Sequence, residues 1–353
     1  MESAIPSYLQ CPRTQTSRVD ASYTPPYPCW TARADQSVAQ VVMGYFGVQS
    51  TGPENHGRAC RALMGTVAGL KGSDGAGHID LAHYVDAQGY DNMIAIAYWD
   101  SPHAFTRWRD NEAIAAWWND PQRLQDGLGY FREILSPRIQ HVETMFNTPD
   151  HPEGVGVVMG GLSEPFREHG YWGSMRERIP LAQTDPLTPS GQLVRHTDGQ
   201  QTGRVHLAGH DNLAVIRSGQ EWTSTRGLER ELYLRDMEPV LARGMDFLRD
   251  QGQSIGCYSN RYMRHVGADG RPQEKSFGLS YWRCLADMER WSESHPTHVE
   301  IFGTFMRMVQ ALEFKLALAV YHEVTILKPD EQDYEYINCH AATGLLAAAL
   351  AAV

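Results

Sequence analysis

A short aromatic pattern occurs twice in this chain at the same spacing. A Tyr-Trp pair is followed by an Arg-Trp pair nine residues later, and the two copies are Tyr98-Trp99 with Arg107-Trp108 and Tyr281-Trp282 with Arg290-Trp291. Duplication of one structural unit is the simplest account of such a match. The sequence therefore predicts two related halves that share one fold.

Hydrophobic runs and turn residues predict the same order of elements, β-α-β-β-α-β, in each half. In the first half the expected strands are 41–48, 79–85, 92–99 and 130–135, and the expected helices are 54–70 and 101–118. In the second half the strands are 212–217, 255–263, 277–282 and 320–326, and the helices are 222–249 and 285–294, the latter continuing after Pro296. We expect an α+β fold of two tandem ferredoxin-like units whose sheets lie face to face in a dimeric α+β barrel-like core.

This order of elements sets the expected domain boundaries. Residues 1–38 contain Pro25-Pro26 and Pro28, which forbid a helix, and we interpret them as an arm lying over the body. The first unit should cover 39–150 and the second 212–328, joined by a connecting segment, 151–211, that carries Arg178. A C-terminal tail, 329–353, completes the chain.

Composition excludes several classes of function. The 353 residues have 31 basic and 42 acidic side chains, and no Lys/Arg run predicts a nucleic-acid surface. No stretch approaches a membrane span, and the N-terminus lacks a secretory signal, so a cytoplasmic location is expected. The six cysteines form neither a CxxC pair nor a CxxCH attachment site, so any haem would be bound non-covalently, and no clustered Cys/His spacing predicts a zinc site.

His298 is the first candidate for chemistry. Pro296 ends one helix near Ser294 and begins another, which places His298 in a first helical turn. Helical spacing puts this imidazole at the head of an apolar stripe that includes Phe302 and Phe305. A helix N-terminus and burial both disfavour imidazolium and leave the neutral nitrogen lone pair that binds metals. The alternative is an ordinary core histidine bonded to a carbonyl.

A comparison of the two halves supports a functional role. The offset of the repeat places Ala115 opposite His298, and alignment of Tyr130 with Tyr321 places Phe131 opposite His322. The first half therefore has neither histidine. Both histidines could ligate one haem iron in an electron carrier, or one could ligate while the other acts as acid and base above an open iron position. The residues alone leave these two possibilities open.

Two further segments have the composition of a site. The loop 170–180 joins the halves and combines aromatic residues and glycines with two arginines, of which Arg176 is interpreted as a surface ion-pair partner. Ser218 ends the first strand of the second unit, where a serine is by default a helix N-cap.

Several segments together resemble the bacterial aldoxime dehydratases. They are Glu168–Arg176, Gly209–Asn212, Ile216–Gln220, Gly256–Arg261, the Glu-Ser-His-Pro-Thr-His run Glu293–His298, and Tyr334–His340. The likeness extends from Met1 nearly to the C-terminus. It implies a haem b lyase of duplicated ferredoxin-like fold, usually a homodimer, that makes nitriles from aldoximes.

The resemblance also implies roles for individual residues. His298 corresponds to the proximal iron ligand, and His322 in Tyr-His-Glu-Val corresponds to the distal acid and base. Arg178 corresponds to the arginine that supports this histidine, and Ser218 to the hydroxyl that binds the substrate oxygen. Glu143 matches a glutamate that assists the distal histidine, although an exposed strand carboxylate is the alternative. The segment 310–320, before His322, departs from the family by being longer and richer in Ala and Leu.

These residue types suit the implied chemistry. In R-CH=N-OH the N–O bond must break, and hydroxide is a poor leaving group unless it is protonated. A ferrous iron held by His298 would bind the oxime nitrogen, Ser218 would fix the hydroxyl, and His322 would protonate it and then remove the carbon-bound hydrogen. A peroxidase-like haem enzyme and a bis-histidine carrier or sensor remain the alternatives. The sequence does not distinguish aliphatic from aromatic aldoximes.

Overall fold

The computed structural model describes residues 1–72, 74–197 and 203–351. Residues 198–202 of the expected connecting segment and 352–353 of the expected tail lie outside this description. The protein combines helices with one large, almost entirely antiparallel sheet of thirteen strands in the described part of the chain. The predicted α+β class is confirmed. In that same part, no helix has the length and apolar character needed to cross a membrane.

The first half follows the predicted order, except that one helix is divided in two and one strand is added at its end. Its elements are β1 (Val42–Ser50), α1 (Pro53–Leu70), β2 (His78–Val85), β3 (Asp91–Trp99), α2 (Pro102–Arg109), α3 (Glu112–Trp118), β4 (Gly129–Leu135) and β5 (Val142–Phe146). The helix predicted over 101–118 is two helices, because the Asn111 side chain accepts a hydrogen bond from the Ala113 N–H and caps a new one. Ser101 caps the first helix by accepting from the Ala104 N–H.

The remaining elements begin with a short helix between the halves. They are α4 (Ser174–Arg178), β6 (Val194–Thr197), β7 (Arg204–Ala208), β8 (Leu213–Glu221), α5 (Gly227–Leu232), α6 (Glu238–Gln251), β9 (Cys257–Val266), β10 (Pro272–Trp282), α7 (Leu285–Ser294), α8 (Pro296–Ala311), β11 (Ala319–Leu327), β12 (Gln332–Ile337) and β13 (Leu350–Ala351). A π-helical turn, Tyr233–Met237, joins α5 to α6. The helix predicted from Trp222 begins later, because the Trp222 N–H donates to the Glu274 carbonyl and its ring is buried.

The strand order contains two matching groups of four. The full order is β13-β6-β7-β12-β4-β1-β3-β2-β9-β10-β8-β11-β5. Within it, β4-β1-β3-β2 and β9-β10-β8-β11 are the four main strands of each half, and each group places its fourth strand beside its first and its second strand at the opposite end. The groups meet where Ala82 of β2 pairs with His265 of β9.

Reciprocal hydrogen bonds join the two groups in the interior. The Tyr98 hydroxyl donates to Glu323 over 2.7 Å, and the Tyr281 hydroxyl donates to Glu133 over 2.8 Å. Since Tyr98 and Tyr281 occupy matching positions in the repeat, Glu133 and Glu323 match as well. His322 therefore corresponds to Arg132, and the expected equivalence with Phe131 is wrong by one residue.

Part of the expected tail is integral to the sheet. Residues 332–337 form β12, which lies between β4 and β7 and buries Tyr334 and Tyr336. At the other end of the chain, residues 1–38 make isolated bridges to the body, such as Trp30 with Phe146 and Ala32 with Leu162. Ala4 and Cys29 of this arm are buried in a cluster against which Met145 of β5 packs, so the arm contributes to the packing around β5.

Candidate active site

His298 lies in the first turn of α8, as the sequence predicted. The chain leaves α7 at Ser294, and Pro296 occupies the first turn of the new helix. Nδ1 of His298 lies 2.8 Å from the Ser292 carbonyl oxygen. Because a carbonyl can only accept, Nδ1 carries the hydrogen, and the lone pair of the neutral ring is on Nε2. The carbonyl bond expected of an ordinary core histidine thus selects the tautomer that leaves Nε2 able to bind a metal.

The electrostatic setting keeps this ring neutral. Burial lowers the pKa of His298 to about 4, although the hydrogen bond to the Ser292 carbonyl acts in the opposite direction. A proton therefore does not compete for the Nε2 lone pair near neutral pH.

Large apolar side chains lie around His298, and several of them are exposed. The Trp291 and Trp172 ring centroids lie 4.6 and 5.8 Å from that of His298, both in edge-to-face orientation. Trp172, Val299 and Phe302 are 40%, 48% and 43% exposed. Phe302 was expected to join a buried apolar stripe, but it contacts Trp172 and stays open. A flat apolar cofactor with an axial nitrogen ligand would cover these side chains, so the residues fit haem.

Ser218 and His322 occupy one face of the sheet, side by side. Ser218 on β8 is the register partner of His322 on β11, and Met145 on β5 is the partner of His322 on its other side. Side chains alternate along a strand, and the neighbours Tyr321 and Glu323 point into the buried interior. The row formed by Ser218, His322 and Met145 therefore lies on the opposite face.

The default interpretation of Ser218 as a helix N-cap is wrong. Ser218 lies in the middle of β8, which continues to Glu221, and pairs on one side with Gly278 of β10. It is nevertheless exposed, although its strand is interior to the sheet. An exposed hydroxyl in such a strand marks a part of the sheet face that no helix covers.

Arg178, Glu143 and His322 form one hydrogen-bonded cluster. Arg178 donates through Nε to Oε2 of Glu143 at 2.7 Å and through Nη2 to Oε1 at 3.2 Å. Nη2 also lies 2.8 Å from Nε2 of His322, and the same ring nitrogen lies 3.0 Å from Oε1 of Glu143. The Glu168 carbonyl and the Ser174 hydroxyl accept hydrogen bonds from Nη1 of Arg178, at 2.9 and 3.1 Å. These two bonds fix the orientation of the guanidinium.

The charge of Glu143 follows from this cluster. Glu143 and Arg178 are both buried, which corrects the alternative of an exposed strand carboxylate. Burial raises the pKa of Glu143, but Arg178 and then His322 outweigh that effect, and its pKa lies below the usual value. The carboxylate is therefore ionised near neutral pH.

Nε2 of His322 has a partner for each of its protonation states. Without a hydrogen it accepts from Nη2 of Arg178, and with a hydrogen it donates to Oε1 of Glu143. Nδ1 of His322 bonds to none of the described residues. The ring is thus held through one nitrogen and can exchange a proton through the other.

One short segment links the two histidines. Trp172, just before α4, contacts the His298 ring, while Arg178 at the end of α4 bonds to His322. The structure thus joins Arg178, Glu143 and His322 directly and places Ser218 beside them, with His298 at the other end of this segment. Arg176, on the same helix, pairs with Glu289 at 2.7 Å, so the predicted ion pair forms, but Glu289 is buried and the pair is not the surface contact that was expected.

Sequence reasoning missed three contributors to this arrangement. They are Met145, which lies opposite His322, and Glu168 and Ser174, which hold Arg178. Met145 could have been found from the alternation along Val142–Phe146, which predicts a strand with Glu143 and Met145 on one face. The other two lie in the segment Glu168–Arg176 that carries the resemblance, but Glu168 acts through its backbone carbonyl, so its side chain does not reveal the contact.

Comparisons with known proteins agree with this geometry. Residues 44–345 match the family model of the haem-containing dehydratases. The chain is 50% identical to an aliphatic aldoxime dehydratase of Rhodococcus globerulus, over 98% of both chains, and 47% identical to one of Pseudomonas chlororaphis, over 100% of this chain and 99% of that one. A crystal structure of an aldoxime dehydratase in complex with butyraldoxime superposes with a TM-score of 0.96 at 49% identity, covering 100% of this chain and 98% of the other.

Proposed function

This chain belongs to the haem-containing dehydratases, as a haem-dependent lyase that converts aldoximes to nitriles, and we propose how five of its residues divide that work. His298 binds the haem iron through Nε2. His322 is the distal acid and base, Arg178 and Glu143 hold it, and the Ser218 hydroxyl binds the oxygen of the substrate. The observation that carries this proposal is the contact of His322 Nε2 with both Arg178 and Glu143.

Haem, when bound in its ferrous form, supplies an electron-rich iron that activates the C=N-OH group. The protein's own part begins at His298, whose Nδ1–H bond to the Ser292 carbonyl fixes the ring plane and raises the basicity of Nε2. The edge-on rings of Trp172 and Trp291 restrict rotation of the imidazole. These contacts hold a neutral ligand without a competing proton.

Proton transfer is assigned to Nδ1 of His322. In the protonated ring, Nε2–H donates to Glu143 while Nδ1–H delivers its proton to the hydroxyl of the aldoxime, so that the N–O bond breaks and water leaves. The neutral ring then takes the carbon-bound hydrogen on Nδ1, which completes the C≡N bond and restores the imidazolium. Glu143 accepts the Nε2 hydrogen in both steps, so the orientation of the ring does not change. A positioned acid and base of this kind contributes about 10²–10⁴-fold in rate.

Ser218 and Arg178 act on orientation and charge. Ser218 lies opposite His322 across the strand pair, so its hydroxyl can hold the substrate oxygen beside the proton donor. Arg178 keeps Glu143 ionised. The site can therefore protonate the leaving hydroxyl without protonating its own carboxylate.

We further propose an aliphatic aldoxime as the substrate and haem b as the cofactor. The relatives that are about half identical to this chain are named aliphatic aldoxime dehydratases, and the matching crystal structure is named as a complex with butyraldoxime. The apolar side chains around His298 suit an alkyl group, which needs no polar partner.

The finer organisation of the protein is part of the same proposal. The two groups of four strands are tandem ferredoxin-like units, 39–150 and 212–328, that form a barrel-like core, supported by their matching strand order and by the reciprocal Tyr–Glu bonds. The protein acts in the cytoplasm as a homodimer, in keeping with the resemblance described above and with six free cysteines. Light scattering of the purified enzyme tests the dimer.

The function is tested by mixing dithionite-reduced holoenzyme with butyraldoxime in the absence of oxygen. The Soret band is expected to shift on mixing, and butyronitrile should form in amounts equal to the aldoxime consumed. Phenylacetaldoxime serves as the aromatic comparison and should show a lower kcat/KM. A bis-histidine spectrum that does not change with aldoxime, or peroxide-dependent dye oxidation that exceeds nitrile formation, would contradict the proposal.

A further inference from the structure

Three metal-ligating side chains converge far along the sheet from the proposed active site. His56 lies in the first turn of α1, His83 on β2, and Asp91 at the start of β3. One ligand atom from each lies within 4.8 Å of the others. No sequence spacing indicates this group, because its members come from three elements.

The carboxylate of Asp91 connects the two imidazoles. Its Oδ1 lies 2.8 Å from Nε2 of His83, and its Oδ2 lies 3.5 Å from Nδ1 of His56. The two rings are 6.1 Å apart between centroids and perpendicular to each other. A cation between them would find two nitrogen lone pairs and one carboxylate oxygen converging from different directions, which is the donor set of a three-residue zinc site with one open position.

The local structure explains why these side chains meet. His83 lies on the same face of β2 as Leu81 and Ile79, which pack beneath α1. Asp91 is the register partner of Val85, so it lies diagonally across from His83 on that face. The first turn of α1 then places His56 above the side chains of His83 and Asp91.

Charge distinguishes this group from a second cluster in the described part of the chain. Asp80, Glu153 and His265 also converge, but Arg217 bonds to Asp80 and Lys275 bonds to Glu153. Two cations already occupy that cluster, and a divalent ion would be repelled. Asp91, by contrast, has only His56 and His83 as ion-pair partners among the described residues.

We propose that His56, His83 and Asp91 form a site for a first-row divalent transition-metal ion of the zinc class, separate from the haem iron. Water fills the fourth position. Imidazole nitrogen with one carboxylate favours zinc, copper or nickel over magnesium or calcium, which prefer oxygen ligands. Binding would tie the first turn of α1 to the β2–β3 hairpin.

Cys60 is not assigned as a ligand. Its Sγ lies 3.5 Å from Nε2 of His56, the ring nitrogen that faces away from Asp91. The thiol therefore positions the His56 ring.

The test uses tag-free holoenzyme that has been treated with a chelator and dialysed. Zinc ion is titrated into this protein by calorimetry, and bound zinc is measured by elemental analysis, while the haem spectrum serves as a check that the iron site is intact. The variants are His83→Ala and the near-isosteric Asp91→Asn. His103→Ala is the matched control, because His103 is an exposed histidine outside the group.

The wild-type protein and His103→Ala are expected to bind one zinc ion per chain with the same affinity. Each of the two ligand variants should lose at least about tenfold in affinity, with an unchanged haem spectrum. Absence of saturable zinc binding in the wild-type protein would overturn the proposal. So would binding that is as tight in His83→Ala and Asp91→Asn as in the wild-type protein, because the zinc would then be held elsewhere.

Discussion

Ser218 and His322 are register partners on the neighbouring strands β8 and β11. They share the sheet face opposite to the one that carries the buried Tyr321 and Glu323. The proposed substrate anchor and the proposed proton donor are therefore fixed relative to each other by backbone hydrogen bonds. Replacements at either position should change chemistry more than folding.

Ser218→Ala should lower kcat/KM by roughly 5- to 150-fold, which corresponds to about 1–3 kcal/mol for an unmade hydrogen bond to substrate. Thermal stability should remain within experimental error, because Ser218 is exposed. Steady-state nitrile formation measures the effect, and Ser218→Thr, which keeps a hydroxyl, is the control. Equal activity of Ser218→Ala and the wild-type enzyme would remove this residue from substrate binding.

His322→Ala should reduce nitrile formation in a single turnover by about 10²–10⁴-fold while the haem remains bound. The physical reason is that His298, the other imidazole of the proposed site, is assigned to the iron, which leaves His322 as the ring that can exchange a proton with the substrate. His340→Ala is a matched control, since His340 is also a partly buried histidine paired with a carboxylate, Asp86. Normal turnover in His322→Ala would show that another group moves the proton.

Glu143→Gln should destabilise the protein by about 3–5 kcal/mol, because it leaves the buried Arg178 without its counter-charge. Denaturant unfolding measures this loss. The double variant Glu143→Leu/Arg178→Met removes both charges and should recover much of the stability but not the activity. If Glu143→Gln alone were as stable as the wild-type protein, Arg178 would not depend on Glu143 as its buried counter-charge.

The dependence of stability on pH should include a contribution from His265. Burial, reinforced by Arg217, lowers the pKa of His265 to about 3 from its ordinary value of 6.5. The unfolded chain therefore binds a proton that the folded chain does not, so this contribution is complete above 6.5 and is lost as the pH falls towards 3. The free energy of unfolding should fall by at most about 1.4 kcal/mol per pH unit from this group.

His265→Gln removes this titration and is the test. Urea unfolding between pH 7 and about 5, above the range of most carboxylates, should give a shallower slope for the variant than for the wild-type protein. Identical slopes would mean that His265 binds its proton equally well in the folded protein and in the unfolded chain.

Local signals were sufficient for the surroundings of His298. The helix break at Pro296 depends on the proline ring alone, so the position of His298 in a first helical turn could be predicted without tertiary information. The order of the eight main strands and their helices followed similarly from periodicity and from the repeat.

Long-range pairing decided what the sequence could not. Glu143 and Arg178 are separated by 35 residues, and Arg178 and His322 by 144, so no spacing predicts their contact. Ser218 has the local character of an N-cap, but pairing with β10 and β11 keeps it in a strand. The alignment of Tyr130 with Tyr321 was wrong by one residue, and a shift of one residue along a strand moves every side chain to the other face of the sheet. The correct register is shown by Glu133 and Glu323, which bond to matching tyrosines in the interior.

Nε2 of His298 is the proposed ligand of the haem iron. The most direct test is the absorption spectrum and haem content of His298→Gly, purified with and without imidazole, beside His295→Asn, which keeps an acceptor at the helix N-cap. The variant His298→Gly should lose the normal Soret band and most of its haem, added imidazole should restore the band, and His295→Asn should resemble the wild-type protein. Normally coordinated haem in His298→Gly without imidazole would contradict the assignment.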